Sequence, residues 1–142
     1  MKHITLIILL LAAMMPACAK VVRGYYSDSE GTPGLIIDSI DSRKDLTRVY
    51  GALIGMPHTS SRINSATMTV GGVELECTDI DGVDQGRWFQ WEDDGRIAVE
   101  LDFPAVRRLP DEGVILLVTP RGNAVTKWKY TAPVKSNKKK RK

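Results

Sequence analysis

From Arg62 the pattern turns to short segments with a period of two, and this constrains the fold more than any other feature. Ser65 to Val70 and Val73 to Thr78 flank Gly71-Gly72. A two-residue Gly-Gly link suits a tight hairpin, because both positions tolerate positive φ. The alternation then pairs Val70 with Val73, Met68 with Leu75 and Ala66 with Cys77 on one face. Thr67, Thr69, Glu74 and Glu76 fall on the other. A slip of one residue would drive both glutamates into the core, which fixes the register.

The same reasoning extends along the chain. Arg87 to Glu92, the turn Asp93-Asp94-Gly95 and Arg96 to Phe103 read as a second hairpin. Ile97, Val99, Leu101 and Phe103 point inward in this reading. Val114 to Thr119 is an unbroken apolar run, as expected of a central strand covered on both faces. Ala124 to Tyr130 alternates, with Trp128 and Tyr130 opposite Lys127 and Lys129.

Before Arg62 the pattern differs. Val21 to Tyr26 reads as a first strand, Ser27 to Gly34 as a loop and Leu35 to Ile37 as a short extended segment. Leu46, Val49, Tyr50 and Leu53 then fall at i, i+3, i+4 and i+7, which predicts a helix. Ser42 and Asp45 would cap it, Gly51 or Gly55 would end it, and Pro57 prevents continuation. The expected class is α+β and mainly antiparallel β. A curved sheet or small β-sandwich would carry the single helix packed on it, with an all-β sandwich as the rival.

The first nineteen residues read as an address. Lys2 and His3 precede an apolar run, Ile4 to Met15, and Ala17-Cys18-Ala19 offers a small-x-small cleavage pattern. Cleavage before Lys20 would export the protein to the periplasm or medium. Lipidation at Cys18 is the competing route, disfavoured by Met15-Pro16-Ala17 ahead of it. Either way Cys77 is left without an internal disulfide partner, so residues 20–134 would be held by their core alone.

Charge is unevenly spread. The tail from Lys135 to Lys142 carries +6, whereas residues 20–134 carry 13 basic and 17 acidic side chains, net −4. Glu74 to Asp102 alone is net −8. The tail has no apolar residue to pack and reads as disordered. Lys138, Lys139, Lys140, Arg141 and Lys142 would grip a polyanion such as an anionic membrane surface. The acidic body argues against specific nucleic-acid recognition.

Candidate chemistry is sparse. A thiol hydrolase would need Cys77 beside His58, but the face shared with Val73 and Leu75 predicts a buried thiol. Asp79, Asp81 and Asp84 around Gly82 would suit a hard cation such as Ca2+, although the run lacks the full ligand set of an EF-hand. Glu100 and Asp102 share a strand face and give a glycosidase-like carboxylate pair. Alternation in the run Arg87-Trp88-Phe89-Gln90-Trp91 sends Trp88 and Gln90 to one face and Phe89 and Trp91 to the other, so at least one aromatic face is partly exposed. Arg87, Trp88, Gln90 and Trp91 are therefore the candidate ligand-binding residues, and an exported protein, a peptide or a glycan the candidate partner. The sequence favours a non-catalytic binding module over a small hydrolase or a calcium-stabilised structural domain.

Overall fold

The computed structural model describes residues 20–22 and 24–131; the proposed signal segment and basic tail lie outside them. Twelve antiparallel strands make up the described part. One sheet has six strands in the order β1 (Lys20–Val22), β2 (Tyr25–Glu30), β12 (Gly122–Tyr130), β11 (Glu112–Thr119), β6 (Ser65–Val70) and β7 (Val73–Glu76). The second orders β3 (Gly34–Ser42), β4 (Leu46–Ile54), β10 (Arg96–Pro104) and β8 (Asp79–Asp81). A short ribbon joins β5 (Ser60–Arg62) to β9 (Trp88–Gln90). The architecture is sandwich-like.

The Gly71-Gly72 hairpin forms in the expected register, with Met68 opposite Leu75 and Val70 opposite Val73. Both glycines have positive φ, +56° and +77°, as a tight hairpin turn of this kind demands. Cys77 follows the strand and donates its backbone N–H to Ala66 O at 2.9 Å. Val99, Leu101 and Phe103 of β10 are buried, as their alternation requires, and Ile97 packs against them half-buried.

Several expectations are corrected. No helix is present among the described residues, and the segment predicted to be helical is the nine-residue strand β4. Thr47, Val49, Gly51 and Leu53 are all buried, a period-two set that coexists with the helical stripe. Thr and Val stiffen at χ1 in a helix and Gly disfavours it, while β4 gains partners on both sides, β3 and β10. Gly51 is needed there because a Cβ would stand 2.1 Å from Ile36 O. The supposed loop from Ser27 is strand up to Glu30, and the first strand is broken by a turn at Gly24. Arg87 to Glu92 does not pair with β10, whose neighbours are β4 and β8. Its strand portion joins β5 instead. β11 is central, but only Ile115 and Leu117 are fully buried, while Leu116 and Val118 are half-buried on the other face.

Alternate residues of both sheets build one core. Leu35, Ile37, Val49, Leu53, Leu101 and Phe103 come from the four-stranded sheet. Met68, Val70, Ile115, Leu117 and Trp128 come from the six-stranded sheet. Between them runs a line of buried hydroxyls. The Ser29 hydroxyl accepts from Leu35 N at 3.0 Å and lies 2.8 Å from Thr126 Oγ1; Ser27 Oγ accepts from Ile37 N at 3.2 Å. Leu35 and Ile37 lie on β3, an edge strand of the other sheet, so side chains of β2 satisfy the backbone donors that β3 turns away from β4. On the far side, Thr78 N donates to Asp102 O at 2.8 Å as the chain passes from β7 to β8.

On the outer face of the second sheet, Arg48 and Asp102 stand opposite each other in the β4–β10 register. They form a two-pronged ion pair, Nε to Oδ1 at 2.7 Å and Nη2 to Oδ2 at 3.0 Å. The Arg48 hydrogen bond holds the Asp102 carboxyl below the usual carboxylate range.

Substitution Ser29→Ala would leave Leu35 N without its acceptor inside the sandwich. We expect a loss of about 1–3 kcal/mol of stability, read as a lower urea midpoint with an unchanged slope. A midpoint equal to that of the parent protein would show that the hydroxyl line contributes nothing.

Candidate functional site

The residues that could carry chemistry separate into three places. The first is Cys77. It is half-buried rather than fully enclosed as expected. Its Sγ donates to Asp79 O at 3.1 Å. Burial pushes the thiol up to about 11, so it is protonated at neutral pH. His58 lies elsewhere, on the turn before β5, with a positive φ of 62°. Its Nε2 is 3.0 Å from Asp93 Oδ1 and its side chain is 70% exposed. Among the described residues no hydrogen bond joins it to Cys77.

The second place is the outer sheet face holding Glu100 and Asp102. Asp102 is occupied by Arg48, and Glu100 lies 3.9 Å from the same guanidinium. Two carboxylates sharing one cation are suited to holding a sheet together. Asp38, Asp81 and Glu100 border a shallow depression of about 270 Å³ on this face.

The third place unites two candidate groups that are neighbours in the chain, separated only by Gln85 and Gly86. An open depression of about 550 Å³ is lined by Ile80, Asp81, Gly82, Val83, Asp84, Arg87, Trp88 and Phe89. Local chemistry builds it. Ile80 and Val83 are buried and anchor the segment to the core. Gly82, at φ +105°, lets the chain pass against β10, where a Cβ would lie 2.2 Å from Ala98 O. Asp81 Oδ1 accepts from Gly82 N at 3.0 Å. Arg87 N then donates to Asp84 O at 3.3 Å, and Gly86 N to Ile63 O at 2.8 Å, turning the chain into β9.

The β5–β9 register decides which aromatic ring faces out. Ser61 pairs with Phe89, and Arg62 with Trp88. Trp88 is 54% exposed and Gln90 is exposed on the same side of the ribbon. Trp91, a candidate ligand residue in the sequence, is only 1% exposed. Its ring lies against Gly55, where a Cβ would stand 2.1 Å from Cε2, and its Nε1 donates to Ser61 Oγ at 2.8 Å. Phe89 meets it edge-on at 5.2 Å. Trp91 therefore forms part of the core and supports the ribbon that presents Trp88.

Of the candidates, Asp81, Asp84, Arg87 and Trp88 share the depression, whereas Asp79, Gln90 and Trp91 do not line it. Among the described residues no three His, Cys, Asp or Glu side chains converge as a metal-binding group. Phe89 and Val83 were absent from the expected site. Phe89 was legible as the partner of Trp88 in the alternation, but Val83 carried no signal beyond being apolar in an acidic run.

The arrangement offers one apolar plate beside two carboxylates and a guanidinium. Such a surface matches a ligand with an apolar face and polar edges. Comparison with family models, with curated proteins and with solved structures finds no match to this chain.

Iodoacetamide labelling of Cys77 in the folded protein should be slow at neutral pH and should accelerate as pH rises toward about 11. A labelling rate that already levels off near neutrality would contradict a protonated, shielded thiol.

Proposed function

We propose that this protein is an exported, non-catalytic binding module that holds a glycan on the Trp88 depression. The observation that carries the reading is the convergence of an exposed indole with Asp81, Asp84 and Arg87 around one open hollow. A sugar ring presents axial C–H groups on one side and hydroxyls around its rim. Trp88 supplies a flat, rigid plate for the first, ordered at little entropic cost. The carboxylates accept from the hydroxyls, and Arg87 donates to ring or acetamido oxygens. Gln90, on the same side of the ribbon, would extend the contact along the chain of the ligand.

The high and shielded proton affinity of Cys77 and the engagement of Asp102 by Arg48 support a binding role over hydrolysis. Export is supported by the order of basic, apolar and small residues in 1–19. Mass spectrometry of the protein recovered from its host should give a chain starting at Lys20. A chain starting at an acylated Cys18 would replace secretion by lipid anchoring.

The ligand reading is tested on an oligosaccharide array beside a set of cationic peptides, with and without added Ca2+. Trp88→Ala should lower glycan affinity by about 2 kcal/mol, some thirtyfold, with no change in melting temperature. Equal binding by the variant would remove Trp88 from the site. Binding of cationic peptides alone would assign Asp81 and Asp84 to a peptide instead. Dependence on added calcium would give those carboxylates to a cation.

A further inference from the structure

A second surface, sharing no residue with the Trp88 depression, is built at one end of the sandwich. Three connections meet there. The β10–β11 loop, Ala105 to Asp111, touches the β3–β4 turn, where the Ser42 hydroxyl donates to Val106 O at 3.2 Å. It also touches the β6–β7 turn, where Gly71 faces Pro110. Two adjoining depressions result, of about 440 and 360 Å³. Arg43, Lys44, Arg107 and Arg108 are among the residues that line them, and no carboxylate does.

Arg43 is already paired with Asp41 at 2.8 Å. Lys44, Arg107 and Arg108 are exposed, and among the described residues none has a carboxylate within ion-pair distance. Asp45, Asp111 and Glu112 lie on the same connections but line neither depression. Val73 stands 57% exposed in the second depression, next to half-buried Val106 and Pro110. Asp41, Asp45, Asp111 and Glu112 match the four cations in number on and beside these connections, so the positive character is confined to the walls of the two depressions.

We propose that this end docks on an anionic lipid bilayer. The chemistry distinguishes a bilayer from a soluble polyanion. Lys44, Arg107 and Arg108 meet headgroup phosphates, while Val73 and Pro110 offer aliphatic surface to the boundary beneath them. The path of the chain agrees. Tyr130 N donates to Asp111 O at 2.6 Å, so β12 ends beside the same loop. Lys135 follows Thr131 by four residues, within a reach of about 14 Å. The basic run Lys135 to Lys142 thus follows in sequence from a strand that ends at this side of the sandwich. The folded surface would fix the orientation that a charged tail alone leaves undefined.

Flotation of the whole chain with vesicles tests this, using phosphatidylcholine with and without phosphatidylglycerol at low salt. The protein should float with the anionic vesicles only. Combined substitution Lys44→Gln, Arg107→Gln and Arg108→Gln, with the tail intact, should weaken binding roughly a hundredfold, since each cation near an anionic surface contributes about a fivefold factor. Val73→Asp should weaken it too, whereas Arg107→Lys with Arg108→Lys should retain it. Trp88→Ala should leave flotation unchanged, which keeps this test separate from the glycan reading. The proposal is overturned if the triple-Gln protein floats like the parent, if neutral vesicles bind equally, or if the protein captures soluble polyphosphate but no vesicles.

Discussion

The sandwich depends on how β3 is held. A strand at the edge of a sheet exposes a row of backbone donors, and here those donors face the interior of the molecule. Ser27 and Ser29 answer them from the opposing sheet, with Thr126 beside Ser29. Hydroxyls are suited to this because they both donate and accept within a small volume. All three are buried, so water cannot substitute for them. The apolar core packs on either side of this line, and its two halves come from different sheets. Fixing the seam fixes the position of β4 and β10, and through β10 the position of the Asp81–Val83 segment.

From that frame the two surfaces acquire their character. At the Trp88 depression, buried Ile80 and Val83 anchor an acidic loop, and buried Trp91 carries the ribbon that turns Trp88 outward. At the loop end, the β3–β4 and β10–β11 connections bring together cations that lie more than sixty residues apart in the chain. Each arrangement follows from which residues of a turn the packed strands leave facing water.

The sequence made the hairpin around Gly71-Gly72 legible because local rules decide it: two glycines, a period of two and a pair of glutamates that cannot be buried. The inward face of β10 was legible for the same reason. The helix failed because Leu46, Val49, Tyr50 and Leu53 form a helical stripe while Thr47, Val49, Gly51 and Leu53 form a strand face. Both patterns are present, and pairing with β3 and β10 selects the second. The tight turn at Asp93 to Gly95 was also read correctly, with Gly95 N donating to Glu92 O at 3.1 Å. Its partner strand was not, because Trp91 exchanges its backbone bonds with the His58–Thr59 turn and not with β10. A choice between distant partners leaves no mark in local alternation. The candidate site was half legible: the acidic and aromatic runs are adjacent in the chain, but the bend between them, held by Gly86 N donating to Ile63 O at 2.8 Å, depends on a partner more than twenty residues away.

The account rests on Trp88 being the one indole among three that meets a ligand. The most direct measurement follows the three indole N–H resonances in a 15N-labelled sample as the tightest-binding oligosaccharide is added. The Trp88 signal should move progressively to saturation, together with backbone signals of Asp84 and Arg87, while the Trp91 and Trp128 signals hold still. Saturable movement confined to Trp91 and Trp128, or no movement of Trp88 at saturating ligand, would contradict it.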